Sequence, residues 1–161
     1  MALTFLAVAA AAFLAGIAIA TTMGEGDPGG VTLAAQRVGP GGGTVRFDGG
    51  ELRLPPGALA SSVRIVVRRT VVPQRVQVRP PNGPVRIFQP RELAAYVFQP
   101  QELEFLRPVT LIFRLREEGG ATAFARVGEA TILLGGEVDP ERRTLAVEIS
   151  DFRFTRGRSG R

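Results

Sequence analysis

Cysteine, histidine, lysine and tryptophan are all missing from the 161 residues, and tyrosine occurs once, as Tyr96. Each absence removes chemistry. Without imidazole or thiolate there is no Ser-His-Asp triad, no Cys-His dyad and no zinc site of the usual ligand set, since each needs a group that exchanges protons near neutral pH. Without lysine there is no Schiff base and no Walker-type lysine on a phosphate. Without cysteine no disulfide braces the fold and no lipid is attached through a thiol, and neither absence conflicts with export. Enzyme chemistry is left to paired carboxylates, to Tyr96 and to four serines that lack an imidazole base. The expectation is a non-enzymatic protein with no cofactor and no metal.

What is present suffices for one domain with a core: 45% apolar residues and 22% charged, punctuated by 20 Gly and 12 Pro. All 20 basic residues are arginine, and against 15 acids they leave a net charge of +5.

Residues 2–20 carry no charge and include LTFLAVAAAAFLAGIAIA. A block of that length without charged positions predicts a hydrophobic helix, read as a signal peptide or an uncleaved signal anchor. Ala18-Ile19-Ala20 matches a small-x-small site, so cleavage is expected between Ala20 and Thr21. If uncut, the same block anchors the chain in a membrane, and a buried N-terminal helix is a third alternative. In the first two cases the rest of the chain is extracytoplasmic, secreted or held at the cytoplasmic membrane.

Residues 21–43 are dense in glycine with Pro28 and Pro40 and read as a linker. Within them Val31 to Val38 has the β-branched content of a first edge strand. Beyond Gly43 the pattern becomes short period-two runs separated by Gly, Pro, Asn and Asp. That spacing predicts an antiparallel β-sandwich over 44–154, followed by a basic tail at 155–161. Leu52 and Leu54 alternate with Glu51 and Arg53, while Val63, Ile65 and Val67 alternate with Arg64 and Arg68. In the last run Leu145, Val147 and Ile149 share one parity and Phe152 and Phe154 the other, so a bulge near Ser150-Asp151 is needed to turn both sets inward. The predicted core is Leu52, Leu54, Leu59, Ile65, Val67, Tyr96, Phe98, Leu111, Phe113, Val147 and Phe152.

Gly42-Gly43-Thr44-Val45, Gly50 and Leu52-x-Leu54-Pro55-Pro56-Gly57-Ala58-Leu59 resemble the opening of a ZU-five domain, the module of zonula occludens proteins, uncoordinated-five netrin receptors and ankyrins. Tyr96-x-Phe98-x-Pro100-x-x-Leu103-x-Phe105-x-x-Pro108-Val109-Thr110-Leu111 is similar to the second signature of that family, and Gly136-Glu137-Val138-Asp139-Pro140 through Ser150-Asp151-Phe152 to its closing hairpin. The resemblance spans about residues 41–154. It implies an all-β sandwich used for protein contacts and, in bacteria, displayed on exported proteins. Some relatives cut their own chain at a His-Phe-Ser site. Asp151-Phe152-Arg153 stands at that place here, without the hydroxyl or the imidazole, so self-cleavage is not expected.

The remaining signals are electrostatic. Between Ser61 and Arg91 stand seven arginines, at 64, 68, 69, 75, 79, 86 and 91, and no acid. Alternation would gather several on one face, with Arg64, Arg68, Arg69, Arg75 and Arg79 the candidate binding residues for an anionic cell-envelope or extracellular polymer. Apart from Phe88 the stretch lacks aromatic stacking groups, so specific nucleic-acid readout is not expected. The plainer reading is a solvated edge that discourages sheet-to-sheet aggregation. The Gly39–Gly43 run precedes a strand rather than a helix, which favours a flexible entry turn over a phosphate loop. Glu102 and Glu104, Glu117 and Glu118, and Asp139 with Glu141 are the carboxylates a remote hydrolase alternative would use. Calcium at the Asp48 or Asp139 turn lacks dense oxygen-ligand spacing. The first expectation is therefore an exported or surface-tethered interaction module whose partner is an envelope or extracellular protein, and the second is an arginine-stripe binder of anionic polymer.

Overall fold

The computed structural model describes residues 13–21, 30–70, 76–78, 86–88, 92–116, 120–127 and 130–152. In chain order the strands are β1 (Phe13–Thr21), β2 (Val31–Val38), β3 (Gly43–Phe47), β4 (Gly50–Leu54), β5 (Val63–Thr70), β6 (Val76–Val78), β7 (Arg86–Phe88), β8 (Glu92–Gln99), β9 (Glu104–Arg114), β10 (Gly120–Val127), β11 (Ala130–Gly135), β12 (Glu137–Asp139) and β13 (Thr144–Asp151). One sheet runs β11-β10-β1-β8-β5-β2, a second β12-β13-β9-β4-β3, and β6 and β7 pair as a separate hairpin. The described residues are all-β, and their pairings are antiparallel except where β1 joins β8 and β10.

The helix expected over residues 2–20 is not what the described part of that segment forms. Phe13–Thr21 is a strand lying parallel between β8 and β10, and residues 1–12 lie outside the described residues. Ile17 and Ile19 are β-branched and alternate with alanine after Gly16, which suits a pleated ladder better than a helix. A strand with parallel neighbours on both sides reads as a continuous apolar run, and periodicity alone does not separate such a run from a helix. Among the described residues no helix is long and apolar enough to cross a membrane.

The two large sheets meet face to face through rings. Tyr96 of β8 stacks on Phe113 of β9 with centroids 5.6 Å apart, and Phe98 stacks on Phe152 at 5.2 Å. Phe47 of β3 meets Tyr96 and Phe98 edge-on at 5.2 and 5.9 Å. All eleven predicted core residues are buried, joined by Val45, Phe47, Phe105, Val109 and Leu145. The expected bulge is present as a register shift between Ile149 and Asp151, after which Phe152 is fully enclosed. Phe154 lies outside the described residues.

Gly42 and Gly57 tie the opening motif together. The Gly57 N–H donates to Pro40 O at 2.8 Å, and a Cβ on Gly42 would strike the backbone of Leu54 and Pro56. Gly50 is hemmed in from the neighbouring strand, since a Cβ there would collide with the carbonyl oxygen of Ile112. Backbone cannot retreat as a side chain can, so Gly50→Ala is expected to cost about 1–3 kcal/mol by overpacking. The shift of the urea midpoint at unchanged slope measures it.

Candidate functional site

β5 sorts its arginines by parity. Ile65, Val67 and Arg69 point toward the second sheet, while Arg64, Val66 and Arg68 point away. Arg64 is exposed and Arg68 half-buried on that outer face. β2 runs antiparallel beside β5 and sets Arg37 directly across from Arg64 and Thr32 across from Arg68. Arg37 is exposed as well. The structure thus brings Arg64 and Arg68 together as expected, adds Arg37, and turns Arg69 to the other side. Arg75 and Arg79 lie outside the described residues. Arg37 was missed because nothing local in VTLAAQRV reveals which strand it pairs with.

Like charges facing each other across a ladder are destabilising by a few tenths of a kcal/mol or more. Elsewhere the chain neutralises such charges. Arg46 and Arg53 on the second sheet flank Glu51, with Arg46 Nε 3.6 Å from Oε2 and Arg53 Nε donating to Oε1 at 2.7 Å. Among the described residues no carboxylate lies within ion-pair distance of Arg37 or Arg64.

Arg69 has a different role. Its Nη2 donates to Asp48 Oδ2 at 2.6 Å, joining β5 to the turn between β3 and β4. Tyr96 stands opposite Arg69 in the β5–β8 register, and a Cβ on Gly49, at φ +97°, would collide with its hydroxyl. Burial pushes the phenol above its ordinary value of 10.0, against the opposing charge and hydrogen bond of Arg69. An acid raised in this way keeps its proton in the folded chain after the unfolded chain has lost it. Its contribution is complete below about pH 10 and is lost as the pH climbs from there through the folded value. With no histidine, cysteine or lysine, only the α-amino group and Tyr96 titrate between the carboxylates and the guanidinium groups. Denaturation midpoints measured between about pH 9 and 11 are expected to fall in the native chain and to fall less in Tyr96→Phe.

Among the described residues the acids form no catalytic pair or metal cage. Glu102 and Glu104 are exposed and lack the burial that a general acid needs. Asp139 Oδ1 accepts the backbone N–H of Arg142 at 3.0 Å, and Asp48 is engaged by Arg69. Glu117 and Glu118 lie outside the described residues. Among the described residues no group of three or more acids is placed to hold a metal ion. Asp151 and Phe152, where the resemblance locates self-cleavage in other chains, are buried, and Arg153 lies outside the described residues.

No family model matches this chain, and no curated protein does. The site is therefore read on its own geometry. The expected cleavage point between Ala20 and Thr21 falls inside β1, where those residues pair with Arg126 and Val127 of β10. A cut there would remove all of β1 except Thr21.

Proposed function

We propose that this chain is a non-enzymatic β-sandwich interaction module of ZU-five kind, and that its working surface is the β2 edge of the six-stranded sheet. One observation carries the reading: Arg37 and Arg64 face each other, exposed, with no acid of the described chain to neutralise them. An arrangement that is unfavourable in the free chain becomes favourable when an anionic partner covers it. The ZU-five resemblance supports the choice of a protein partner, and the mutual packing of the Gly42 and Pro55–Ala58 backbones is in keeping with the motif.

The reading places the module outside the cytoplasmic membrane with residues 2–20 retained, because β1 is lost if the chain is cut after Ala20. Fractionation of the native host followed by intact mass tests that placement, with full-length protein in an extracytoplasmic fraction expected, and a cytosolic location or insertion of residues 2–20 in the membrane overturning it.

The surface itself is tested by a photo-crosslinking residue at Gln36, exposed on β2. A discrete adduct of protein mass in the native host is expected, while the same residue at Glu148, exposed on β13, gives none. Equal adducts at both positions, or none at Gln36, would refute the reading. A broad carbohydrate adduct favours the second reading, in which the arginines bind an anionic envelope polymer by bidentate contacts.

A further inference from the structure

The partner's form follows from where the arginines sit. Resting on the interaction-module reading, we infer that the free edge of β2 takes an added β-strand from an acidic, extended segment of a partner protein, with carboxylates at alternate positions over Arg37 and Arg64.

Among the described residues β2 closes its sheet and has a strand on one side only. At eight residues it is longer than β3 or β12, which end the other sheet. Alternate backbone N–H and C=O groups of such a strand point away from β5 and are free to pair with another chain. Edges that are closed to addition carry proline, a bulge or an inward charge. β2 has no proline, and its register shift lies between Thr32 and Ala34, leaving Ala34 to Val38 in regular pairing with β5. Ala35, Gln36 and Arg37 are exposed, so this regular stretch is open to solvent.

The charge then selects the partner. A strand added beside β2 places every second side chain on the face of Arg37, with Cβ atoms of directly opposed residues about 5 Å apart. Arg64 stands one strand further in, within the reach of its long side chain toward the same row. An acidic residue across from Arg37 therefore meets both guanidinium groups and relieves their repulsion. The next residue faces the opposite side, in the row of Gln36 and Ile65. A polysaccharide would satisfy the charge but has no peptide groups to complete the ladder, so the combination of a free edge with unneutralised arginines favours a peptide.

The test uses the full chain and an eight-residue peptide of alternating glutamate and valine. Calorimetry is expected to show binding, with amide shifts confined to β2 and β5. A peptide of the same composition with its glutamates and valines in separate blocks should bind at least tenfold more weakly. N-methylation of alternate peptide amides, which keeps every charge but blocks the ladder, should have a similar effect in one of its two phases. R37E and R64E are each expected to weaken binding at least tenfold, and as exposed substitutions both leave the fold intact, checked by an unchanged urea midpoint. The inference is overturned if the blocked, N-methylated or sulfated-polysaccharide probe binds as well as the alternating peptide, if neither charge reversal matters, or if nothing binds. A Gln36 crosslink to a host protein in the presence of such a failure would leave the interaction reading standing and remove only the added strand.

Discussion

A chain beginning at residue 22 is expected to lose the cooperative unfolding transition of the full chain. Without β1 the six-stranded sheet parts into β11-β10 and β8-β5-β2, and two ladders vanish together. The facing edges are then about 10 Å apart, too far to pair with each other and too close to be covered by anything thicker than a strand. Whole-domain stability is only about 5–15 kcal/mol, so losing a central strand removes a large part of it. A full-length variant separates loss of the strand from loss of length. Ile17→Pro keeps every other residue but takes a donor from a central strand and leaves a neighbouring carbonyl unpaired, at a cost of about 1–3 kcal/mol. Urea denaturation followed by the fluorescence of Tyr96, the one tyrosine in a chain without tryptophan, reads both variants. Midpoints equal to that of the full chain in both would show that residues 13–21 are not a strand of this sheet.

The connection to β1 is within easy reach. Ile19, Tyr96, Arg69 and Val31 share one row across four strands, which puts β2 three strand spacings, about 14 Å, from β1. The nine residues between Thr21 and Val31 extend to about 30 Å. A role as signal peptide or membrane anchor and a place in the sheet would therefore make opposite demands on one stretch of chain: a cut after Ala20 or insertion in a membrane removes the strand.

Phe113→Ala is expected to destabilise the domain by about 3–5 kcal/mol. Phe113 is fully enclosed between the sheets, stacked on Tyr96 and edge-on to Phe47 at 6.4 Å. Truncation removes the apolar contact area and leaves a cavity that Leu52, Leu111 and Leu145, themselves enclosed, are poorly able to fill. The ring pairs lost with it add roughly 0.5–1.5 kcal/mol each. Leu106→Ala provides the contrast, since Leu106 is 70% exposed and its loss should stay within about 0.5 kcal/mol. The difference between the two urea midpoints checks the assignment of core against surface, and similar shifts would contradict it.

Much of the sandwich was legible residue by residue. Leu52 and Leu54 alternate with charged neighbours, and Ile65 and Val67 do the same, so which side of each strand is buried follows from a period of two. The 145–152 run even required its bulge, because Val147 and Phe152 have opposite parity and both are too apolar to leave in water. β1 was misread for the complementary reason. Its side chains are apolar on both parities, so the run carries no alternation from which strand or helix could be told. The arginine face was half legible: Arg64 and Arg68 share a parity, whereas the pairing of Arg37 with Arg64 depends on register between segments more than twenty residues apart.

Taken alone, the sequence determined which chemistry is excluded, that the chain is β-rich, and which side chains enter the core, because composition and local alternation are properties of neighbouring residues. Only the tertiary structure decided that Phe13–Thr21 is a central parallel strand, that Arg69 turns inward to Asp48, and that Arg37 and Arg64 stand together at the edge of the described sheet. Those facts are set by strand order and register, and register is fixed by burying one face of a whole sheet at once, a condition that no single segment contains.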